Sequence, residues 1–132
     1  MKKSIFGALA LLALTVTLIS AGQKGDEIMT KEDGMYVVNT TTLGKDVQGY
    51  VSTTPVKVYI KKNKVEKVEF LKNQETPKYM ARVKKALINK WDGQKVEDAA
   101  KLKVDGVTGA TFSSDAIIKN VQLALEYYQA HK

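Results

Sequence analysis

The residue types best suited to chemistry are concentrated in one short segment near the end of the 132-residue chain, Asp105-Gly106-Val107-Thr108-Gly109-Ala110-Thr111-Phe112-Ser113-Ser114. It places four hydroxyl side chains beside two glycines, and glycine permits tight turns and close backbone approach. No Gly-Lys-Ser/Thr follows, so the segment is not a P-loop. It also lacks the GxGxxG spacing of dinucleotide-binding folds.

A long helix is predicted directly after this segment. Ser113 or Ser114 is suited to cap it, and Asp115 favours the positive end of its dipole. Thr111 then lies at the helix N-terminus or one turn before it, where free backbone N–H groups favour a phosphate. A glycine turn with a serine cap also opens many helices that bind nothing, so the residues alone leave both interpretations open. The apolar residues with helical spacing are Ile117, Val121, Ala124 and Tyr128, flanked by Ile118 and Leu125.

The run Thr108-Gly109-Ala110-Thr111 resembles the flavinylation motif of the FMN-binding domain family, which includes the C subunit of the sodium-pumping NADH:quinone reductase and the Rnf G subunit. The resemblance extends from about Gly49 to the C-terminus. It implies that a FAD:protein FMN transferase joins FMN through its phosphate to the Thr111 hydroxyl. It also implies roles for the neighbours: Asp105, Gly106, Thr108, Gly109 and Ala110 shape the turn and present Thr111, while Ser113 and Ser114 cap the helix and bond the phosphate.

A second stretch, residues 49–77, resembles the sheet of the same family and the Glu-Thr-Pro segment beside its flavin. The resemblance implies that five residues line the pocket: Gly49, Tyr50, Glu75, Thr76 and Pro77. Other members commonly continue with glycine after the proline, whereas Lys78-Tyr79-Met80 follow here, which favours the start of a helix. Three aromatic side chains are suited either to stack on an isoalloxazine ring or to fill the core, and the choice stays open: Tyr79, Trp91 and Phe112.

The amino-acid composition excludes several classes of function. The chain has no cysteine, and its one histidine is His131, the penultimate residue. Disulfides, thiolate metal sites, histidine-ligated metals and Ser-His or Cys-His hydrolases are therefore excluded. A bound cofactor that carries its own chemistry needs no such side-chain base.

The formal net charge is +7, which raises the question of nucleic acid binding. The lysines are scattered along the chain rather than gathered in one patch interleaved with aromatic residues. We therefore expect no nucleic-acid partner. A solvated basic surface that steers acidic partners or a membrane surface is the alternative use of this charge.

The N-terminus has the pattern of a secretory signal peptide over residues 1–22. Lys2 and Lys3 precede an apolar run, Ile5 to Ile19, and small residues follow, which predicts cleavage after Ala21 or Gly22. Retention as an uncleaved anchor is the alternative. We expect a flexible tether over residues 23–33, an FMN-binding domain over 34–132, and a location in the periplasm or on the outer face of the cytoplasmic membrane.

The remaining pattern predicts an α+β domain with an antiparallel sheet over residues 35–71. Met35 to Val38 suggests a short strand, and alternation from Val56 to Phe70 suggests a hairpin turning at Lys62-Asn63-Lys64. Helices are predicted near residues 77–91 and 113–130, with Thr76 as cap and Pro77 as first residue of the former. A short helix is expected between Val96 and Lys101.

The preferred function is an exported electron carrier with covalent FMN on Thr111, rather than an enzyme acting alone. Its expected partners are the FAD:protein FMN transferase and redox proteins of the membrane or periplasm. The alternative is a small secreted binding module without a cofactor. A flavin-dependent reductase is less favoured, because so short a chain leaves little wall for a second pocket.

Overall fold

The computed structural model describes residues 27–132, so the predicted signal segment and the first part of the tether lie outside the described residues. It confirms the α+β class. The strands are β1 Met29–Glu32, β2 Met35–Asn39, β3 Val56–Lys61 and β4 Lys64–Phe70, and the helices are α1 Pro77–Leu87, α2 Val96–Lys101 and α3 Thr111–His131.

The four strands form one antiparallel sheet in the order β1-β2-β3-β4. The pairing of β1 with β2, Met29 opposite Val38 and Glu32 opposite Met35, corrects the prediction of a flexible tether through residue 33. The sequence MTKE carries no alternating apolar signal. This edge strand forms because its backbone groups complete hydrogen bonds with β2.

The hairpin of β3 and β4 follows from its period of two. Val56, Val58 and Ile60 are buried, while the side chains between them are more exposed. Lys62 and Asn63 both have positive φ, 51° and 63°, as a two-residue hairpin turn requires. The turn is therefore one residue shorter than predicted, and Lys64 already belongs to β4.

All three helices contribute to a single core. Helix α3 packs across β2 and β3, and both α1 and α2 contact it. The buried apolar side chains of the sheet are Val38, Val56, Val58, Ile60, Val65 and Val68, and those of the helices are Val83, Leu87, Val96, Ala99, Ala116, Ile117, Val121, Ala124, Leu125 and Tyr128. No helix within residues 27–132 has the length and apolar character needed to cross a bilayer.

Two helix boundaries differ from the predicted ones. Helix α1 begins at Pro77 as expected but ends at Leu87, and Trp91 fills the core from the following turn with only 2% of its surface exposed. Trp91 is therefore a core residue and not a candidate for stacking on a ligand. Helix α3 begins at Thr111, two residues earlier than expected, so Thr111 is its first residue.

Candidate functional site

The segment 107–110 forms a tight turn that delivers Thr111 to the start of α3. The Ala110 N–H donates to the Val107 carbonyl at 2.8 Å, and Gly109 takes a φ of +84° that few other residues adopt. Ala110 is buried and occupies the N-cap position, whereas Thr111 is exposed. The turn thus places the Thr111 side chain at the surface, at the start of a 21-residue helix.

The two serines lie inside the first turn of α3, and neither caps it, which corrects the prediction. Both are buried. Ser114 Oγ accepts the Val107 N–H at 2.8 Å and donates to the Thr111 carbonyl at 3.1 Å, which closes the motif turn onto the helix. Ser113 Oγ donates to the Glu75 carboxylate. Their hydroxyls therefore hold the motif in place.

The N-terminus of α3 has no side-chain cap and no acidic residue in its first turn. Asp115 is the fifth residue of the helix, beyond the turn where a charge interacts best with the dipole. The first backbone N–H groups of any helix lack intrahelical partners, and side chains or ligands usually satisfy them. This terminus is therefore suited to an anion supplied from outside the chain.

Glu75 is a buried carboxylate that joins three segments of the chain. Only 4% of its surface is exposed. It accepts hydrogen bonds from the backbone N–H groups of Tyr50, Val51 and Ser52 at 2.7, 2.6 and 2.7 Å, and from Ser113. The loop after Gly49 is thereby fastened to the first turn of α3, and Tyr50 is fixed beside the motif.

The electrostatics of Glu75 suit this structural position. Burial by itself raises the pKa of the Glu75 carboxyl, but the hydrogen bonds from Ser113 and from the backbone of Ser52, Val51 and Tyr50 outweigh it, so the pKa lies below its ordinary value of 4.5. Glu75 is therefore ionised at neutral pH. Both of its oxygens are occupied by the protein, so its role is to position the loop.

An open cleft of about 310 Å³ lies against the motif, within the size range of small-molecule sites. The Tyr50 and Phe112 rings stack at its rim, with centroids 6.3 Å apart and planes inclined by 26°. Each of these residues is 66% exposed, so the two stacked rings form an exposed apolar patch beside the motif. The lining residues are Tyr50, Tyr79, Gly109, Ala110, Thr111, Phe112 and Ser113.

The other predicted site residues lie behind or beside this cleft. Asp105 lines a separate depression with Leu102 and Lys103. Gly106 lies against the start of α3, where a Cβ added to it would lie 2.9 Å from Asp115 Oδ1. Thr108 is exposed in the turn. Thr76 occupies the N-cap position of α1 without a side-chain hydrogen bond, and Pro77 is the first residue of that helix.

Gly49 is required by the Glu75 contact, because a Cβ there would meet the Glu75 carboxylate. Of the predicted site residues, the structure brings five together at the cleft: Tyr50, Gly109, Ala110, Thr111 and Ser113. It places Glu75 and Ser114 as supports beneath it. Asp105, Gly106, Thr108 and Thr76 do not line it.

Sequence reasoning missed one contact of the motif, with Arg82 of α1. Arg82 Nη1 lies 3.4 Å from the Thr108 carbonyl oxygen, and a Cβ added to Gly109 would lie 2.6 Å from the same nitrogen. Its signal was its position one turn after Tyr79, on a helix that otherwise carries only lysines as charged residues. That spacing places the two residues on neighbouring parts of one helix face.

The arrangement fits a ligand that has both a phosphate and an aromatic ring system. An exposed hydroxyl and an uncapped helix terminus suit the phosphate, and the ring-lined cleft suits the aromatic part. Within the described residues, none of the hydrogen-bond partners of Thr111 is a side-chain base.

A family model described as an FMN-binding domain matches residues 49–126, more than half of the chain. The match begins at Gly49, as predicted, ends at residue 126 rather than at the C-terminus, and includes every residue that lines the cleft. No curated protein and no solved structure matches the chain.

Proposed function

Because the chain belongs to the FMN-binding domain family and is thus an FMN-binding flavoprotein, we propose that it carries FMN covalently, as a phosphoester of Thr111, and transfers electrons outside the cytoplasm. The observation that carries this proposal is the position of Thr111. It is an exposed hydroxyl at the first residue of a helix that has neither a side-chain cap nor an acidic first turn, and it borders an aromatic cleft.

The proposed attachment is a phosphoryl transfer. The Thr111 oxygen attacks the FMN-side phosphorus of FAD, a P–O bond to this oxygen forms, and the pyrophosphate P–O bond breaks so that AMP leaves. The hydroxyl proton passes to a base of the transferase, and no oxidation or reduction occurs. The remaining charge of the phosphodiester would lie at the N-terminus of α3, where an exposed anion is stabilised by about 0.3–1 kcal/mol.

The chain's own residues prepare this site in two ways. Ser114 and Gly109 fix the turn that presents Thr111, and the Glu75–Ser113 hydrogen bond fixes the Tyr50 loop against α3. The aromatic side chains of Tyr50, Tyr79 and Phe112 offer apolar surface for a planar ring beside the attachment point. When bound, FMN supplies the electron-accepting and electron-donating chemistry.

A carrier suits this domain better than an enzyme acting alone. The cleft at the motif is open and lies at the surface, so a ring held there is accessible to redox proteins. A covalent link also retains the cofactor outside the cytoplasm, where no pool replaces it. We propose that the partners are the FAD:protein FMN transferase and redox proteins of the membrane or periplasm.

The export proposal is supported by the charged, apolar and small-residue pattern of residues 1–22. Cell fractionation with N-terminal sequencing of the mature protein tests it. We expect a mature chain that begins after Ala21 or Gly22. Recovery of the full-length chain in the cytoplasm would contradict the proposal.

The attachment itself is tested by intact mass spectrometry of the protein produced with its transferase. We expect a gain equal to FMN less one water, and flavin fluorescence that stays with the denatured protein on a gel. Thr111→Ala should lose both signals. Thr111→Ser is the matched control, because it retains a hydroxyl at the same backbone position.

The result that overturns the covalent proposal is flavin that separates from the wild-type protein on denaturation. A protein that lacks both added mass and flavin absorbance when produced with the transferase would also exclude the carrier function. The secreted binding module would then become the working hypothesis.

A further inference from the structure

The charges around the motif are arranged asymmetrically. Helix α1 carries Lys78, Arg82, Lys84 and Lys85, and no acidic residue occurs between Glu75 and Asp92. Within residues 27–132 the one ion pair is Lys45–Asp46, far from the motif in sequence. The Arg82 guanidinium therefore faces the turn without a carboxylate partner in the described part of the chain.

The Arg82 guanidinium is positioned to donate to a further hydrogen-bond acceptor. Its side chain is exposed, and its hydrogen bond to the Thr108 carbonyl is long at 3.4 Å. A guanidinium has five N–H donors in a planar fork that matches the oxygens of a phosphate, whereas a lysine offers a point charge. Most of these donors have no acceptor in the described structure.

Gly109 permits this approach. An added Cβ would lie 2.6 Å from Arg82 Nη1, so any larger residue would displace the guanidinium from the turn. Glycine at this position therefore permits both the positive φ of the turn and the close approach of Arg82. The two features bring a cation from α1 to the turn immediately before Thr111.

Resting on the function proposed above, we infer that Arg82 binds the phosphodiester of FMN at Thr111 and so fixes the cofactor's link across the motif turn. The guanidinium donates to a non-bridging phosphate oxygen, while the backbone N–H groups at the start of α3 approach the same group from the helix side. Arg82 is thus a binding residue supplied by a separate helix. A charge-assisted hydrogen bond of this kind corresponds to a loss of about tenfold or more in affinity on removal.

Phosphorus NMR of the flavinylated protein tests this contact at the atom concerned. We expect Arg82→Ala to move the single diester resonance toward that of the flavinyl peptide released by proteolysis. Arg82→Lys, which keeps the charge without the fork, should give an intermediate shift. Lys84→Ala removes the same charge two residues later, about 200° around the helix, and should leave the resonance in place.

A second measurement covers the case in which Arg82→Ala is not loaded by the transferase. In a Thr111→Ala background, FMN and riboflavin, which lacks the phosphate, are titrated and followed by flavin fluorescence. We expect Arg82→Ala to weaken FMN binding about tenfold and to leave riboflavin binding unchanged. Circular dichroism confirms that each variant is folded.

The inference is overturned if Arg82→Ala keeps the wild-type phosphorus resonance, or if it weakens FMN and riboflavin equally. Either result is distinct from a failure of the proposed function. If the proposed function itself fails, the wild-type protein carries no FMN mass, and this is seen before any Arg82 variant is compared.

Discussion

At the scale of single residues, Glu75 is the side chain on which most of the site's geometry depends. Replacement by Gln removes the charge and turns an amide NH₂ toward groups that are themselves donors. We expect Glu75→Gln to lower the free energy of unfolding by about 2–3 kcal/mol, since hydrogen bonds to a buried charge are lost. Chemical denaturation at pH 7 measures this. Glu126→Gln, which changes an exposed carboxylate of α3, should shift it by less than about 0.5 kcal/mol.

The pH dependence of this difference follows from the lowered pKa of Glu75. Its folded-state pKa lies below the ordinary value of 4.5, so its contribution is fully present above that value and is lost as the pH falls through the folded pKa. The stability difference between wild type and Glu75→Gln should therefore be constant near neutral pH and shrink below about pH 4.5. A difference that does not change on acidification would contradict this assignment.

At the scale of elements, helix α3 meets the turn after β2 at Gly44. Asn120 is fully buried in α3 and donates to Ala116 O at 2.9 Å, while its Oδ1 lies where a Cβ on Gly44 would be. The φ of Gly44 is not positive, so alanine is restricted there mainly by this contact, with the Thr40 carbonyl oxygen 3.2 Å from the added Cβ as a lesser one. We expect Gly44→Ala to destabilise the fold by about 1–3 kcal/mol through overpacking.

A double-mutant cycle isolates this contact. In an Asn120→Ala background, the cost of Gly44→Ala should fall sharply, because the overlapping amide has been removed. Thermal or chemical denaturation of the four proteins gives the coupling energy. Equal costs in both backgrounds would show that the helix and the turn do not meet in this way.

At the scale of the whole molecule, β1 sets the N-terminal boundary of the domain. A chain that begins at residue 34, the predicted boundary, would expose the backbone edge of β2 and remove the apolar contacts of Ile28 and Met29 with the core. We expect it to be less stable by roughly 2 kcal/mol and more prone to self-association through the free edge. A chain that begins at residue 27 is the control. Denaturation and light scattering compare them, and equal behaviour would contradict a structural role for β1.

Much of this molecule follows from its sequence pattern, and the exceptions have physical causes. The hairpin and α3 are predicted because their apolar periods are strong, and Pro77 marks the start of α1. Strand β1 is not predicted because it forms through backbone hydrogen bonds with β2, which leave no apolar pattern in its sequence. The prediction that Ser113 or Ser114 caps α3 is wrong. The Ser113 hydroxyl donates to Glu75 and the Ser114 hydroxyl accepts from the Val107 N–H, and both partners lie outside the helix. The approach of Arg82 to the motif is likewise tertiary, and the sequence indicates only that Arg82 shares a helix face with Tyr79.

The uncapped start of α3 has a consequence for how the protein matures. Unsatisfied helix ends open locally at little free-energy cost, but Ser113 and Ser114 are held by Glu75 and the motif turn, so fraying before any ester forms should be confined to Thr111 and Phe112. Such brief openings would let a transferase seat Thr111 in its own active site without unfolding the domain. Once esterified as proposed, the phosphate replaces the missing cap, and the openings become rarer. Under this proposal, incomplete capping leaves the terminus open to the transferase before the reaction, and the bound phosphate restrains it afterwards.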